Sequence, residues 1–454
     1  MTLPMAQLGK HITEGEIDTV LFVVVDMQGR LQGKSLDARY FWSDVRVKGG
    51  QICGVVLATD VEMNIVDGYA LGALDNGFGD IELTADPDSV RVLPWQQKTA
   101  LVLADPRGPD GREVAASPRQ ILRVQLARLA DRGLTALAGT ELEACVYQDS
   151  YVSAWQQGYR ELRPASDYAR DYGTLDTGGF DPLLRRIRIA MAGAGMAVAG
   201  TVPECNLGQF ELTFRPADPL TTCDNHVIVK HGAKEIAAAA GRSLTFMAKP
   251  NEREGNSCHL HLSLRDLVTG HPVFPGDQRH GFSRTMANFL AGQLACLPDF
   301  MLWYAPNVNS YKRFRPGWFA PVDVSWGLDN RTCALRVVGS GDALRVENRV
   351  PGGDVHPHLA LAAMIAAGIH GIDNDLALPP PERGNAYLAP DAGSRKRLPV
   401  SLRDAARRWQ DSKPAELAFG AEVVEHYARA AAVELAAFDS AITDWELRRG
   451  FERL

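Results

Sequence analysis

The sequence predicts an α+β protein in two parts, a small sheet-rich domain over residues 1–110 and a larger mixed α/β domain over residues 111–454. Three observations lead there. Up to about residue 110, apolar residues come in short β-branched runs broken by turns; from Ser117 they recur at helical spacing; farther on, strand-like and helix-like segments alternate.

In the first part, Val20 to Val25 is continuously apolar and reads as a strand, and Met27-Gln28-Gly29-Arg30 reads as a turn. A second strand-like segment follows at Cys53 to Ala58, and Val90 to Leu93 and Leu101 to Leu103 flank a turn at Pro94. Helix signals are sparse before Ser117-Pro118, which sets an N-cap residue ahead of a proline at the first helical position. Ile121, Leu122, Leu126 and Leu129 then carry the helical period. Thr222 to Ala240, Phe282 to Leu297 and His358 to Ile369 also read as helices, whereas Thr140 to Tyr147, His259 to Leu264 and Leu335 to Val338 suit strands. Residues 378–384 and 389–397 read as loops, and a helical tail begins near Leu402.

With 48 Lys plus Arg against 55 Asp plus Glu the chain is mildly acidic, which argues against nucleic acid as its partner. Hydrophobic residues make up 46% and charged residues 23%, a balance that excludes a mostly disordered chain. No run reaches the ~18 apolar residues of a membrane span, and the start has no basic-then-apolar order, so a cytoplasmic protein is expected. The seven cysteines are scattered without a C-x-x-C pair, as free thiols in a reducing compartment would be, and they do not suit structural zinc.

Three strand-like segments carry functional side chains two residues apart, and a strand sends residues i and i+2 to one face. They hold Glu141 and Glu143, His259 and His261, and Arg345, Glu347 and Arg349. A fourth, E-C-N-L-G-Q-F-E, spaces Glu204 and Glu211 around Gly208, which permits a turn that aims both carboxylates inward. Each has a plain alternative when taken singly: a solvated E-x-E face, surface histidines, a salt-bridge ladder. Together they give five glutamates and two histidines, which are costly to bury without compensating cations. Oxygen ligands with one or two imidazoles favour Mg²⁺ or Mn²⁺, and Arg313, Arg331, Arg336, Arg345 and Arg349 would supply forks for carboxylate and phosphate oxygens.

In this order the motifs resemble the glutamine synthetase family over roughly residues 15 to 454. V-D-M-Q-G-R-L-Q-G-K-S-L is similar to that family's N-terminal turn, and G-F-G-D-I-E-L with R-V-L-P-W to the loop that completes a neighbouring subunit's site. G-T-E-L-E, E-C-N-L-G-Q-F-E, F-M-A-K-P, G-N-S-C-H-L-H-L-S-L, P-N-V-N-S-Y-K-R-F and R-V-E-N-R-V-P-G-G-D follow in family order. The resemblance implies a glutamine synthetase fold, with an N-terminal β-grasp domain and a C-terminal catalytic α/β domain. It also implies a homo-oligomer of two stacked hexameric rings, a dodecamer, with active sites between neighbours.

Carried over by motif, Glu143, Glu204 and Glu211 match the ligands of one divalent cation and Glu141, His259 and Glu347 those of another, two or three Mg²⁺ or Mn²⁺ per site. Arg313 matches the residue that holds the α-carboxylate of glutamate, and Gly255 lies in the glutamate loop. Arg349 would face the γ-carboxylate and Arg331 the transferred phosphoryl group. His261, Ser263, Arg336 and Arg345 match positions near ATP, and Asp80 the aspartate that receives the amine across the subunit interface. The implied reaction phosphorylates the γ-carboxylate of glutamate with ATP, and an amine then displaces phosphate.

One departure is informative. Where glutamine synthetases carry a glutamate in G-Y-E-A-P, this chain has Phe319 in G-W-F-A-P. That exchange removes the charge that would bind ammonium and adds apolar surface, which suits an amine with a carbon tail. Glu254 stands where the family has Asn, and could hold the α-ammonium of glutamate or a hydroxyl on the amine, or serve only as surface. The chain therefore resembles the γ-glutamyl-amine ligases, and within them the γ-glutamylethanolamide group more than the polyamine group. The leading expectation is ligation of glutamate to ethanolamine or a similar monoamine. γ-Glutamylpolyamine synthesis, true glutamine synthesis and a catalytically silent ring are the alternatives.

Overall fold

In the computed structural model of the protein, residues 3–71, 77–388 and 395–454 are described. The loop expected at 389–397 lies outside them up to residue 394.

Six strands form the first sheet: β1 (Thr19–Val25), β2 (Leu31–Asp37), β3 (Gly50–Cys53), β4 (Asp80–Ala85), β5 (Arg91–Val92) and β6 (Thr99–Arg107), in the order β2-β1-β6-β4-β3 with β5 also beside β6. β1 and β6 run parallel and the other pairs antiparallel. The apolar run in β1 follows from burial on both faces. Val20, Phe22 and Val24 join a core with Leu8 and Ile12 of the helix Met5–Thr13, whereas Val23 and Val25 join the core of the second sheet.

The second sheet holds β7 (Leu134–Tyr147), β8 (Val198–Pro203), β9 (Gln209–Phe214), β10 (Ser243–Thr245), β11 (Cys258–Asp266), β12 (Trp326–Leu328), β13 (Leu335–Val338) and β14 (Arg345–Asn348). Its order is β12-β13-β14-β11-β7-β9-β8, with β10 also on β7. Leu142, Leu212, Leu260 and Leu262 share one core with the helices Pro118–Ala130, Pro219–Ala239 and Pro357–Asp373. The alternate residues of the same strands, the acids and histidines, therefore take the opposite face. Residues 108–117 connect the sheet of β1–β6 to the first of these helices, and the domain division we propose at residue 110 falls within that connection. Among the described residues, no helix is long and apolar enough to cross a membrane.

Across this junction Arg119, only 1% exposed, donates to Asp86, Asp105 and Asp224, and Asp224 also lies 2.9 Å from His358 Nε2. One guanidinium thus ties the end of β4 and strand β6 to two helices of the larger part.

Several elements differ from expectation. The strand sought at Cys53 to Ala58 ends at Cys53, and Gly54–Leu57 forms a 3₁₀ turn that buries Val56 and Leu57. A short apolar run does not by itself distinguish the two. The segment around Asp80, expected as a loop, starts strand β4, where Ile81 and Leu83 face the core. The helices Met5–Thr13 and Asp181–Gly193 and strand β2 were not expected. Ser117 and Pro118 take their expected places, although the Ser117 side chain makes no capping bond.

Candidate active site

The register of the second sheet assembles the site. Glu141 on β7 stands opposite His259 on β11, Glu143 opposite Glu211 on β9, and Glu347 on β14 opposite both His261 and Arg336 on β13. Gly208 (φ 66°) closes the turn that brings Glu204 toward Glu211; a Cβ there would come within 2.4 Å of the Val146 carbonyl oxygen, so only glycine fits. Ligand atoms of Glu143, Glu204 and Glu211 lie within 4.8 Å of one another, as do those of Glu141, His261 and Glu347, and those of Glu141, Glu211 and His259.

His259 Nδ1 sits 3.2 Å from Glu141 and 3.7 Å from Glu347, so it adjoins both of its expected co-ligands. His261, expected beside ATP, also approaches the acids, with Nε2 2.9 Å from Glu141, while its Nδ1 accepts from Arg345 Nε at 3.1 Å. The cause is register: the two histidines share a face of β11, and β14 sets Glu347 directly across from the second.

Glu143 is buried and accepts from Ser257 N (2.7 Å), Ser257 Oγ and Gln209 Nε2 (3.2 Å). Burial and the surrounding carboxylates push Glu204 up to about 8 and Glu211 up to about 9. Burial, helped by Arg349, pushes His259 down, and its Nε2 is buried without a hydrogen-bond partner. Carboxylates that resist ionising together, beside a neutral imidazole with an unused nitrogen, are a donor set that fits divalent cations.

Arginines frame the acids. Glu347 receives Arg336 Nη1 at 2.7 Å and also Arg349. Arg313, 3% exposed, donates to the carbonyls of Val350 (2.8 Å) and Arg349 (2.9 Å), and burial lowers it to about 10. Gly255 packs against it: an added Cβ would sit 3.0 Å from the Arg313 side chain and 2.3 Å from the Ala248 carbonyl oxygen. Glu254 is half-buried, and its Oε2 lies 3.7 Å from Arg253 Nε, too long for a hydrogen bond.

Four expected residues stand apart from this cluster. Asp80 is exposed on the first sheet, Arg331 is exposed in the turn between β12 and β13, and Ser263 is half-buried farther along β11. Phe319 is 59% exposed with φ 56°, a left-handed backbone that an aromatic residue rarely adopts. Beside it, Trp318 covers the Lys249 ammonium at 3.7 Å, and Tyr387 Oη donates to the Ala320 carbonyl at 2.9 Å.

Sequence reasoning passed over Gln209, Ser257 and Lys249. The signal was present for two of them. Gln209 precedes Glu211 by two residues and Ser257 precedes His259 by two, the same period that revealed the acids.

A catalytic-domain model of glutamine synthetase matches residues 115–450. The chain belongs to the glutamine synthetase family. It is 55% identical over 452 residues to γ-glutamylethanolamide synthetase GlnA4 of Streptomyces coelicolor, an alignment that covers 100% of this chain and 96% of that protein. A glutamate–isopropylamine ligase of a Pseudomonas species is 37% identical over 96% of each chain. Among solved structures, the GmaS–ADP complex superposes with a TM-score of 0.84 at 28% identity, covering 99% of this chain and 100% of that one.

Proposed function

We propose that the protein is an ATP-dependent ligase that joins the γ-carboxylate of glutamate to ethanolamine or a similar small monoamine through γ-glutamyl phosphate. The observation that carries this reading is the convergence of six ligand-type residues, five from strands of one sheet and Glu204 from the β8–β9 turn, in a chain 55% identical to a γ-glutamylethanolamide synthetase.

Glu143, Glu204 and Glu211 would hold one divalent cation, and Glu141, His259 and Glu347 the other; Mg²⁺ or Mn²⁺ suits them. When bound, such ions neutralise charge on phosphate oxygens. Ser257 and Gln209 fix the Glu143 carboxylate in its rotamer. Arg313, backed by Gly255, presents its guanidinium to the α-carboxylate of glutamate, with Glu254 near the α-ammonium. Arg349 faces the γ-carboxylate, and Arg331 the phosphoryl group in transfer. His261, Ser263, Arg336 and Arg345 line the nucleotide side.

The amine arrives protonated, because alkylammonium groups hold their proton at neutral pH much as lysine does. Asp80 of a neighbouring subunit takes that proton, which accounts for its exposure on the first sheet. Phe319, apolar and exposed, offers surface to a carbon tail and no charge to ammonium. This reading places the protein in the cytoplasm as a dodecamer of two hexameric rings; its seven free cysteines suit that compartment.

Glutamate labelled with ¹⁸O in its γ-carboxylate tests the chemistry. The proposal requires one label to appear in the released phosphate for each γ-glutamylethanolamide formed. Amide formation with unlabelled phosphate would refute the acyl-phosphate route.

A further inference from the structure

Behind the acidic cluster, and sharing none of its residues, lies a cavity of about 660 Å³. Its walls are the β1–β2 turn, residues 59–61, and the helices Pro219–Ala239 and Ala421–Ser440. That volume is in the range of small-molecule sites.

The lining combines apolar surface with unpaired positive charge. Phe246, Trp303 and Tyr427 supply rings. Lys230 and Lys234, one helical turn apart, both point ammonium groups toward Phe246, at 5.7 and 5.9 Å from the ring centroid. Lys230 donates to the Val355 carbonyl at 2.9 Å, and neither lysine has a carboxylate within ion-pair distance among the described residues. Two like charges at i, i+4 repel, and burial adds to the cost; burial indeed lowers Lys230 to about 8.

Other charged groups on the wall are engaged elsewhere. Arg30 is tied to Asp26 at 2.6 Å, and Glu235 accepts from Trp95 and Gln96; Asp354 accepts from Asn307 and Ser310 through Oδ2, while its charge partly offsets that of Lys230 without an ion-pair contact. Asp60 caps its own loop, accepting from the backbone of Glu62 and Asn64. Glu434, the remaining carboxylate, is pushed up by burial and by Asp60 and Glu62.

The cavity wall is also continuous with the substrate loops. Asn256 donates to the Met247 carbonyl at 2.8 Å and stands between Gly255 and Ser257, whose backbone amide holds Glu143. Asn307, another wall residue, begins the 3₁₀ turn that ends at Arg313.

We propose that this cavity is a second ligand site, which takes a small organic anion with an apolar body, such as a medium-chain or aromatic carboxylate, on Lys230 and Lys234 and adjusts glutamate affinity through residues 245–257. This effect rests on glutamate being a substrate, as proposed above, and holds whichever amine is joined.

Hexanoate and phenylacetate are the probes, with acetate (no apolar body) and hexanamide (no charge) as controls, read by thermal unfolding and tryptophan fluorescence of the full-length protein. Saturable binding of the two probes is expected, retained with saturating glutamate and ATP, and accompanied by a shift in the glutamate KM. Lys234→Gln should weaken it by about tenfold, as loss of one charge-assisted hydrogen bond would. Ala430→Phe, which fills the cavity, should abolish it, and both variants should keep basal turnover. Equal binding of hexanamide, displacement by glutamate, an unchanged affinity in both variants, or an unchanged glutamate KM would each overturn the proposal.

Discussion

Cation binding should expel protons from the acidic cluster, by an amount that the structure sets. Glu204 at about 8 and Glu211 at about 9 are raised by burial and by the charge of their neighbours. At pH 7.5 the pair is then largely protonated and together carries more than one proton. A divalent cation binds only the ionised carboxylates and must release them. At pH 9.5 the pair is mostly ionised, and release should fall well below one proton. Calorimetric titration of chelator-treated enzyme with Mn²⁺, in buffers of different ionisation enthalpy, counts the protons directly. Release near zero at pH 7.5, or equal release at both pH values, would refute the reasoning. A sign in stability follows from the same shift. The folded cation-free protein binds more protons than the unfolded chain between about pH 4.5 and 9, so the contribution of these two groups is present below that window and lost as pH rises through it.

Four further outcomes are expected. Glu143→Ala or Glu211→Ala should abolish phosphoryl transfer while leaving the oligomer assembled; normal turnover in either would remove them as cation ligands. Arg119→Met leaves three carboxylates without their shared partner and should cost about 3–5 kcal/mol in denaturant unfolding; a loss under about 1 kcal/mol would show that the junction does not depend on it. Burial works against the Asp224 carboxylate, but Arg119 and His358 hold it well below the usual carboxylate range. Its contribution should thus be present above about pH 4 and lost on acidification below it, absent in Arg119→Met. Phe319→Glu should lower the KM for ammonium, and an unchanged KM would remove Phe319 from the choice of amine.

Much of the site was legible because its strands advertise a period of two. Glu141 with Glu143 and His259 with His261 are visible as pairs, and the pairing register does the rest by setting Glu141 against His259 and Glu143 against Glu211. Gly208 likewise announced its turn. Strand β2, L-Q-G-K-S-L-D, was illegible because it is largely exposed and carries no apolar alternation. The helix Met5–Thr13 buries only Leu8, Gly9 and Ile12, too short a stripe to read as periodic. The Arg119 cluster could not be foreseen either: its carboxylates come from β4, β6 and a distant helix, and only the packing of the two sheets brings them to one guanidinium. That His261 also approaches Glu141 could not be foreseen for a similar reason, since strand register is a property of two segments and not of one.

The identity of the amine is tested by kcat/KM for ethanolamine, isopropylamine, ammonium, putrescine and spermine, each with ATP, glutamate and Mg²⁺, and with every product identified by mass. Turnover with ethanolamine or another monoamine should stand well above that with ammonium or the polyamines. A preference for ammonium would make the protein a glutamine-forming enzyme and contradict the part given to Phe319, and a preference for putrescine or spermine would overturn the apolar reading of the amine site.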